Sequence, residues 1–198
     1  MSAPTREVEL KARVDDIEAA RSAMQRAGAT LVFEGTLHDR LYDTPDRALT
    51  SRDHVLRLRS YQSANGATDA HLDWKGPTSR EGGFKVRAEL TTGITEPAAM
   101  REMLARLGYE IVSGVDRHIA QYELAVADDK VMVRFEVYPR MDTLVEVEGT
   151  TAAIEQAIVA LGIPRDRFNA GRLASFVREY EARTGVRAST CNDGLTNS

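Results

Sequence analysis

The stretch Glu7-Val8-Glu9-Leu10-Lys11 carries charge on every second residue. In an extended chain this puts Glu7, Glu9 and Lys11 on one face and Val8, Leu10 and Ala12 on the other. Two carboxylates at i and i+2 on one face repel each other, at little cost only if they are solvated or share a cation. A solvated strand face would explain one such stretch, but the pattern returns along the chain. Arg57 and Arg59 alternate with Leu58 and Ser60, and Asp73 and Lys75 with Leu72 and Trp74. Lys85, Arg87 and Glu89 alternate with Val86, Ala88 and Leu90, Arg134 and Glu136 with Val133, Phe135 and Val137, and Glu146 and Glu148 with Val145 and Val147. A sheet rolled up with its ionic face inward, and its apolar face covered by helices, makes a tunnel lined by both signs.

The helices follow from the same reading. Asp15-Asp16 caps a helix with Ile17, Ala20, Met24 and Ala27 at helical spacing and Gly28 as its stop. A second is capped by Thr95, with Pro97 in its first turn, Met100, Met103, Leu104 and Leu107 on one side, and Gly108 as its end. Thr150 or Thr151 caps a third, carrying Ile154, Ile158 and Leu161, and a last helix runs over Leu173 to Arg183. Between them, Leu31 to Phe33 and Leu37 to Tyr42 read as strands broken at Gly35, and Asn65-Gly66 as a hairpin turn. The polar segment from Gly76 to Gly83 reads as a mobile loop that closes over a charged ligand.

From Phe84 the order starts again. Gln25-Arg26-Ala27-Gly28-Ala29 parallels Ala105-Arg106-Leu107-Gly108-Tyr109, the Arg57/Arg59 strand parallels the Arg134/Glu136 strand, and the Lys75 strand parallels the Glu146/Glu148 strand. Such a repeat implies two half-barrels closing on each other.

Composition narrows the function. A net charge of −4 and a pI near 5.6 argue against a general nucleic-acid binder. Cys191 is the sole cysteine, so no internal disulfide forms and a reducing, cytoplasmic setting is expected. No apolar run is long enough for a membrane span. His38, His54, His71 and His118 lack metal-ligand spacing and read as surface or structural residues. Glu89 either faces ligand or pairs with Arg87 or a nearby lysine.

Taken together, Glu7-x-Glu9-x-Lys11, Leu56-Arg57-Leu58-Arg59, Trp74-Lys75-Gly76-Pro77, Arg87-x-Glu89 and Glu146-x-Glu148 resemble the CYTH superfamily of triphosphate tunnel metalloenzymes, from about Glu7 to Tyr180. Lys75-Gly76-Pro77, the loop to Arg87-x-Glu89 and Leu107-Gly108-Tyr109 look most like its class IV adenylyl cyclases. The resemblance implies an α+β fold: an antiparallel β-barrel of roughly eight strands with helices packed outside and a pseudo-two-fold repeat. Residues 1–185 would form a single tunnel domain, and 186–198 a disordered tail.

The resemblance also implies a metal-dependent enzyme whose substrate is a nucleoside triphosphate or inorganic triphosphate. Neither nucleic acid nor membrane is an expected partner, and a homodimer is allowed. Arginine forks and lysines suit phosphate oxygens, which points to Lys11, Arg57, Arg59, Lys75, Lys85, Arg87, Arg117 and Arg134 as the cradle. Oxygen ligands suit Mg²⁺ or Mn²⁺, which points to Glu7, Glu9, Glu136, Glu146 and Glu148, with Glu7, Glu9 and Lys11 as the catalytic group. Attack by the ribose 3′-hydroxyl on the α-phosphorus of ATP gives cyclic AMP and pyrophosphate; water at the terminal phosphorus makes the same tunnel a triphosphatase. A catalytically idle nucleotide or polyphosphate binder is the third reading. The chain departs from the family pattern at Glu136, where an aspartate is usual, at Ile119, where a second basic residue follows Arg117, and at Met141-Asp142, where Leu-Gly is usual.

Overall fold

The computed structural model describes residues 5–127 and 129–193. In chain order these form β1 (Thr5–Arg13), α1 (Ile17–Arg26), β2 (Thr30–Asp43), β3 (Val55–Ser63), β4 (Thr68–Lys75), β5 (Ser79–Glu81) and β6 (Phe84–Gly93). There follow α2 (Pro97–Arg106), β7 (Glu110–Val126), β8 (Asp129–Val137), β9 (Leu144–Glu148), α3 (Thr151–Leu161) and α4 (Leu173–Thr184). The strands pair antiparallel in the order β1-β9-β8-β7-β2-β3-β4-β6, and β6 pairs back onto β1, closing an eight-stranded barrel.

The repeat is visible in the topology. One unit is β1-α1-β2-β3-β4, the other β6-α2-β7-β8-β9. Each lends its first strand to the other: β6 lies on β4, and β1 on β9. Glu7 opposes Arg87 across β1–β6, and Leu37 opposes Arg117 across β2–β7, with the same sequence offset in both pairs. One rotation therefore relates the two units.

Period-two alternation sends the charged residues inward and leaves the intervening aliphatic ones for the helices to cover. Leu10, Ala12, Tyr122, Val131, Val133, Phe135, Val145 and Val147 pack with Met24 of α1 and Ile154 and Ile158 of α3 in the largest core. α2 covers Tyr42 and Leu58 through Leu104, whereas Phe176 of α4 packs on Val115, Tyr138 and Leu144, which share the inward face with Arg117, Glu136 and Glu146. Asp16 caps α1 by accepting from Ala19 N, and Thr150, not Thr151, caps α3 by accepting from Ala153 N.

Four local expectations are corrected. β2 runs unbroken through Gly35, because the glycine there serves close backbone approach instead of a turn: an added Cβ would lie 2.2 Å from the Gln62 carbonyl oxygen. The N-cap of α2 is Glu96, not Thr95, and makes no side-chain cap bond; Pro97 at the first position already lacks one of the N–H groups that a cap would serve. The Gly76–Gly83 segment is not a free loop, since Ser79–Glu81 pairs with Phe84–Val86 as β5, and Glu81 pairs with Arg6. The tail is ordered as far as Asp193: Ser189 exchanges backbone bonds with Arg140 (2.8 and 3.0 Å), and Asp116 N donates to the Thr190 carbonyl at 2.7 Å. Small side chains made this tail look unstructured, yet Ala188, Thr190 and Cys191 are buried. Residues 194–198, also expected to be disordered, lie outside the described residues.

Asp43 holds the β2–β3 connection. Its carboxylate accepts from Thr44 N, Leu49 N, Thr50 N and Thr50 Oγ1 at 2.6–2.9 Å. Burial alone would raise its pKa, but these four donors bring it down to about 2. A depressed carboxyl stabilises the fold fully above its ordinary value near 3.8, and that contribution is lost as pH falls through 2. In Asp43→Asn the loss of urea stability between pH 5 and 2 should therefore be shallower than in the parent. Gly35→Ala should cost about 1–3 kcal/mol in the same denaturation experiment, because the Gln62 backbone has to move.

Candidate functional site

The inward faces enclose a cavity of about 560 Å³. Every site residue expected from the sequence lines it: Glu7, Glu9, Lys11, Arg57, Arg59, Lys75, Lys85, Arg87, Arg117, Arg134, Glu136, Glu146 and Glu148. Arg172 adds a ninth cation, and Asp39, Asp53, Asp73 and Glu89 bring the carboxylates to nine as well. By formal charge the lining is neutral.

The cations are held by cross-strand partners. Arg59 Nε and Nη2 donate to the two oxygens of Asp39 at 2.7 and 3.0 Å, and Arg117 Nη1 donates to Asp39 Oδ2 at 3.0 Å. Arg117 Nε continues the chain to Glu136 Oε1 at 2.7 Å, whose other oxygen accepts from the Tyr138 hydroxyl at 2.7 Å. Burial would raise the Glu136 carboxyl, but Arg117, Lys11 and Arg134 bring it down to about 2. Burial, reinforced by Glu136, pushes the Tyr138 phenol up. Glu146 lies between Lys11 and Arg134, accepting from Arg134 Nη1 at 2.7 Å. Arg57 donates through Nε and Nη2 to Asp73 Oδ2 at 2.9 and 2.7 Å. Arg87 faces the tunnel but spends its guanidinium on the Gly76 and Asp53 carbonyls, both at 2.7 Å, which fastens the loop after β4.

The expected metal-ligand set divides in two. Glu136 and Glu146 are tied up by the cations just described. Glu7, Glu9 and Glu148 lie together on β1 and β9, with Glu9 directly opposite Glu148. Lys75 donates to Glu7 Oε1 at 2.5 Å and Lys85 donates to Glu9, but Glu7 Oε2 is buried without a hydrogen-bond partner. Burial raises the Glu148 carboxyl, and Glu7 and Glu9 reinforce the shift, with Arg134 opposing it. Burial would likewise raise Glu9, but Lys11, Lys85 and Lys75 hold it well below its ordinary value. The unpartnered Glu7 oxygen, with Glu9 and Glu148 on the same stretch of wall, offers oxygen ligands of the kind a hard divalent cation takes. Among the described residues these tunnel carboxylates do not converge in threes to within 4.8 Å; the group that does is Asp116, Cys191 and Asp193, outside the tunnel. There Arg40 already supplies the positive charge, and Asp116 also accepts from Asn192 N and contacts His38, so the cluster serves to fasten the tail.

Several lining residues were not expected. Asp73 belongs to the alternating pattern beside Lys75, and Asp39 lies in a strand whose neighbours Leu37 and Leu41 give no ionic rhythm. His54, which meets Trp74 edge-on at 5.3 Å, and His71, which meets Tyr61 at 5.5 Å, line the cavity while making these structural ring contacts. Arg172 comes from just before α4 and is joined to Asp53 at 2.7 Å, a contact no local pattern signals. Glu89 pairs with Lys75 at 3.3 Å and lies 3.8 Å from Arg57. Ile119 is fully buried beside Glu136, and Met141-Asp142 is fastened to α4, Met141 by packing and Asp142 by Arg183 at 2.5 and 2.7 Å.

Comparison with known proteins agrees with this geometry. A family model described as the CYTH domain matches residues 5–156. A candidate adenylate cyclase from Vibrio parahaemolyticus superposes with a TM-score of 0.70 at 22% identity, over 88% of this chain and 99% of that one. A protein from Pyrococcus horikoshii OT3 gives 0.69 at 22%, over 87% and 98%. A candidate adenylyl cyclase from Hippeastrum, described as having a dominant triphosphatase activity, gives 0.63 at 18%, over 87% and 96%. At these identities the likeness is one of fold. A search of curated proteins found no match.

Asp39 neutralises Arg59 and Arg117 together, so Asp39→Ala leaves two buried guanidinium groups short of a partner. Breaking a buried pair in this way costs about 3–5 kcal/mol. Equilibrium urea unfolding should show a loss of that size, with Asp39→Asn losing less because its amide oxygen still accepts one bond.

Proposed function

The chain belongs to the CYTH family, and from that premise we propose that it is a divalent-metal-dependent enzyme acting on a triphosphate, most like a class IV adenylyl cyclase that converts ATP to cyclic AMP and pyrophosphate. The observation that carries this reading is the carboxylate trio Glu7, Glu9 and Glu148 with its orphaned Glu7 oxygen, set in a tunnel of arginines and lysines. A pure anion binder gains nothing from those carboxylates, which oppose its ligand unless a cation screens them.

In this reading Glu7, Glu9 and Glu148 hold the ion, Mg²⁺ or Mn²⁺ by their oxygen chemistry. When bound, the ion supplies neutralisation of charge at the phosphates. The protein's own groups do the rest. Arg57, Arg59 and Arg134 present planar forks, and Lys11, Lys75 and Lys85 point charges, to phosphate oxygens at several heights. Arg117 braces Asp39 and Glu136 between them, and Arg87 keeps the loop after β4 against the barrel. Tyr61, His54, His71, Leu41, Val55 and Leu173 give the lining aromatic and apolar surface that a bare triphosphate does not need. That surface favours a nucleoside triphosphate, whose ribose hydroxyl then competes with water as nucleophile.

Purified protein incubated separately with ATP and with inorganic triphosphate, each with Mg²⁺ or Mn²⁺, should release cyclic AMP and pyrophosphate from ATP. Terminal phosphate release alone would make it a triphosphatase, and saturable binding without turnover an idle tunnel. Glu7→Gln should abolish turnover and also remove the rise in Tm that Mn²⁺ gives the parent, while Lys75 keeps the Glu89 carboxylate at 3.3 Å and the variant still folds. An undiminished Mn²⁺ shift in this variant would remove Glu7 from the metal site.

A further inference from the structure

Arg57 is the most heavily compensated cation of the tunnel. Asp73 accepts from its Nε and Nη2, Asp39 Oδ2 lies 3.6 Å from its Nη1, and Glu89 Oε1 lies 3.8 Å from its Nη2. Asp39 is shared with Arg59 and Arg117, and Glu89 with Lys75, whereas among the described ion pairs Asp73 has Arg57 as its cation. The other oxygen of Asp73 accepts from Thr91 Oγ1 at 2.9 Å. Asp73 is buried and held ionised.

The pseudo-two-fold gives this arrangement an internal control. Arg57, Asp73 and Thr91 form one cross-strand row over β3, β4 and β6. The equivalent row of the second unit is Arg134, Glu146 and Lys11 over β8, β9 and β1. There the carboxylate lies between two cations, so a positive charge remains for a ligand. In the first row a hydroxyl replaces the second cation, and Asp73 cancels Arg57 completely.

We propose that Asp73 is a specificity-determining residue: it occupies Arg57 as a built-in competitor for phosphate, so that the tunnel admits a triphosphate as its divalent-metal complex and rejects the free polyanion. This rests on the triphosphate reading of the site. A phosphate oxygen approaching the Nε–Nη2 edge of Arg57 meets the Asp73 carboxylate already there, and like charges in close contact at a water-poor surface are strongly disfavoured. A cation arriving with the ligand offsets that repulsion; a metal-free ligand has no such help.

The test uses the full chain and inorganic tripolyphosphate as probe, with affinity measured by calorimetry in EDTA and again with Mn²⁺. Asp73→Asn keeps the shape and an acceptor for Arg57 while removing the charge. It should bind tripolyphosphate in EDTA at least about ten-fold more tightly than the parent, a factor of ten corresponding to roughly 1.4 kcal/mol. The ratio of affinities with and without Mn²⁺ should fall by the same factor. Asp73→Ser, which also removes the charge, serves if the asparagine variant does not fold, and failure of both to fold would show a structural brace and overturn the proposal. Unchanged or weaker metal-free binding by a folded variant, while the parent binds with Mn²⁺, overturns the role of Asp73 alone. If neither parent nor variant binds tripolyphosphate with Mn²⁺, the triphosphate reading falls with it.

Discussion

A charged barrel interior can exist only if its ions neutralise one another, and the register of the strands makes that happen here. Each buried ion costs several kcal/mol to desolvate, so an unpaired lumenal arginine would endanger a fold of ordinary stability. Arg57 lies directly opposite Asp73, Arg59 opposite Asp39, Arg134 opposite Glu146, and Glu9 opposite Lys85. These are direct cross-strand pairs, the closest contacts a sheet offers. A slip of one residue would send the charges of the ionic rows to the apolar face and the valines between them into the tunnel, so the ionic rows and the hydrophobic core specify the same register.

Closure follows from the exchange of first strands between the units. With β1 on β9 and β6 on β4, no long strand edge is left open among the described residues, where the short β5 is the one strand that pairs on a single side. The outer face then needs cover, and the clusters under α1 and α3 and under α2 supply it, with each fully buried Leu, Ile or Val contributing about 1.5–3 kcal/mol against the cost of the ionic lumen. The same exchange brings Glu7 and Glu9 of one unit beside Glu148 of the other. The carboxylate trio is thus a product of closure and belongs to neither unit alone.

Much of this was legible because period-two alternation is a local signal. It marked the inward face of most strands, and all the residues it singled out for the site do line the tunnel. What it missed depends on distant partners. Asp39 shows no ionic rhythm with Leu37 and Leu41, and its role emerges only when β3 and β7 flank it. Arg172 reaches the lumen because α4 packs on Val115 and Tyr138, a tertiary contact with no sequence period. The tail misled for a related reason: its small polar residues suggest disorder, but Asp116 and Arg140 offer it hydrogen-bond partners that composition does not reveal. The Gly76–Gly83 segment shows the converse, since its glycines suit a tight hairpin turn at Gly82-Gly83, with φ of +57° and +86°, as well as they suit a loop.

The balanced lining also changes what ligand binding means in such a tunnel. In a groove with surplus positive charge, a polyanion binds by adding contacts. In a lumen where the sheet's arginines are already paired, a ligand can gain a guanidinium only by displacing a carboxylate, and the displaced group needs a new partner in a space with little water. Arg59 and Arg57 each present this exchange, with Asp39 and Asp73 as the groups to be displaced. On the proposed reading, a divalent ion held by Glu7, Glu9 and Glu148 would offset it, because Lys75 and Lys85 now pair with Glu7 and Glu9 and would be freed from them. Those ammonium groups would then face the ligand. On this account metal and triphosphate bind with positive coupling through the lysine–glutamate pairs, and linkage makes that coupling reciprocal: whatever the metal adds to ligand affinity, the ligand adds to metal affinity.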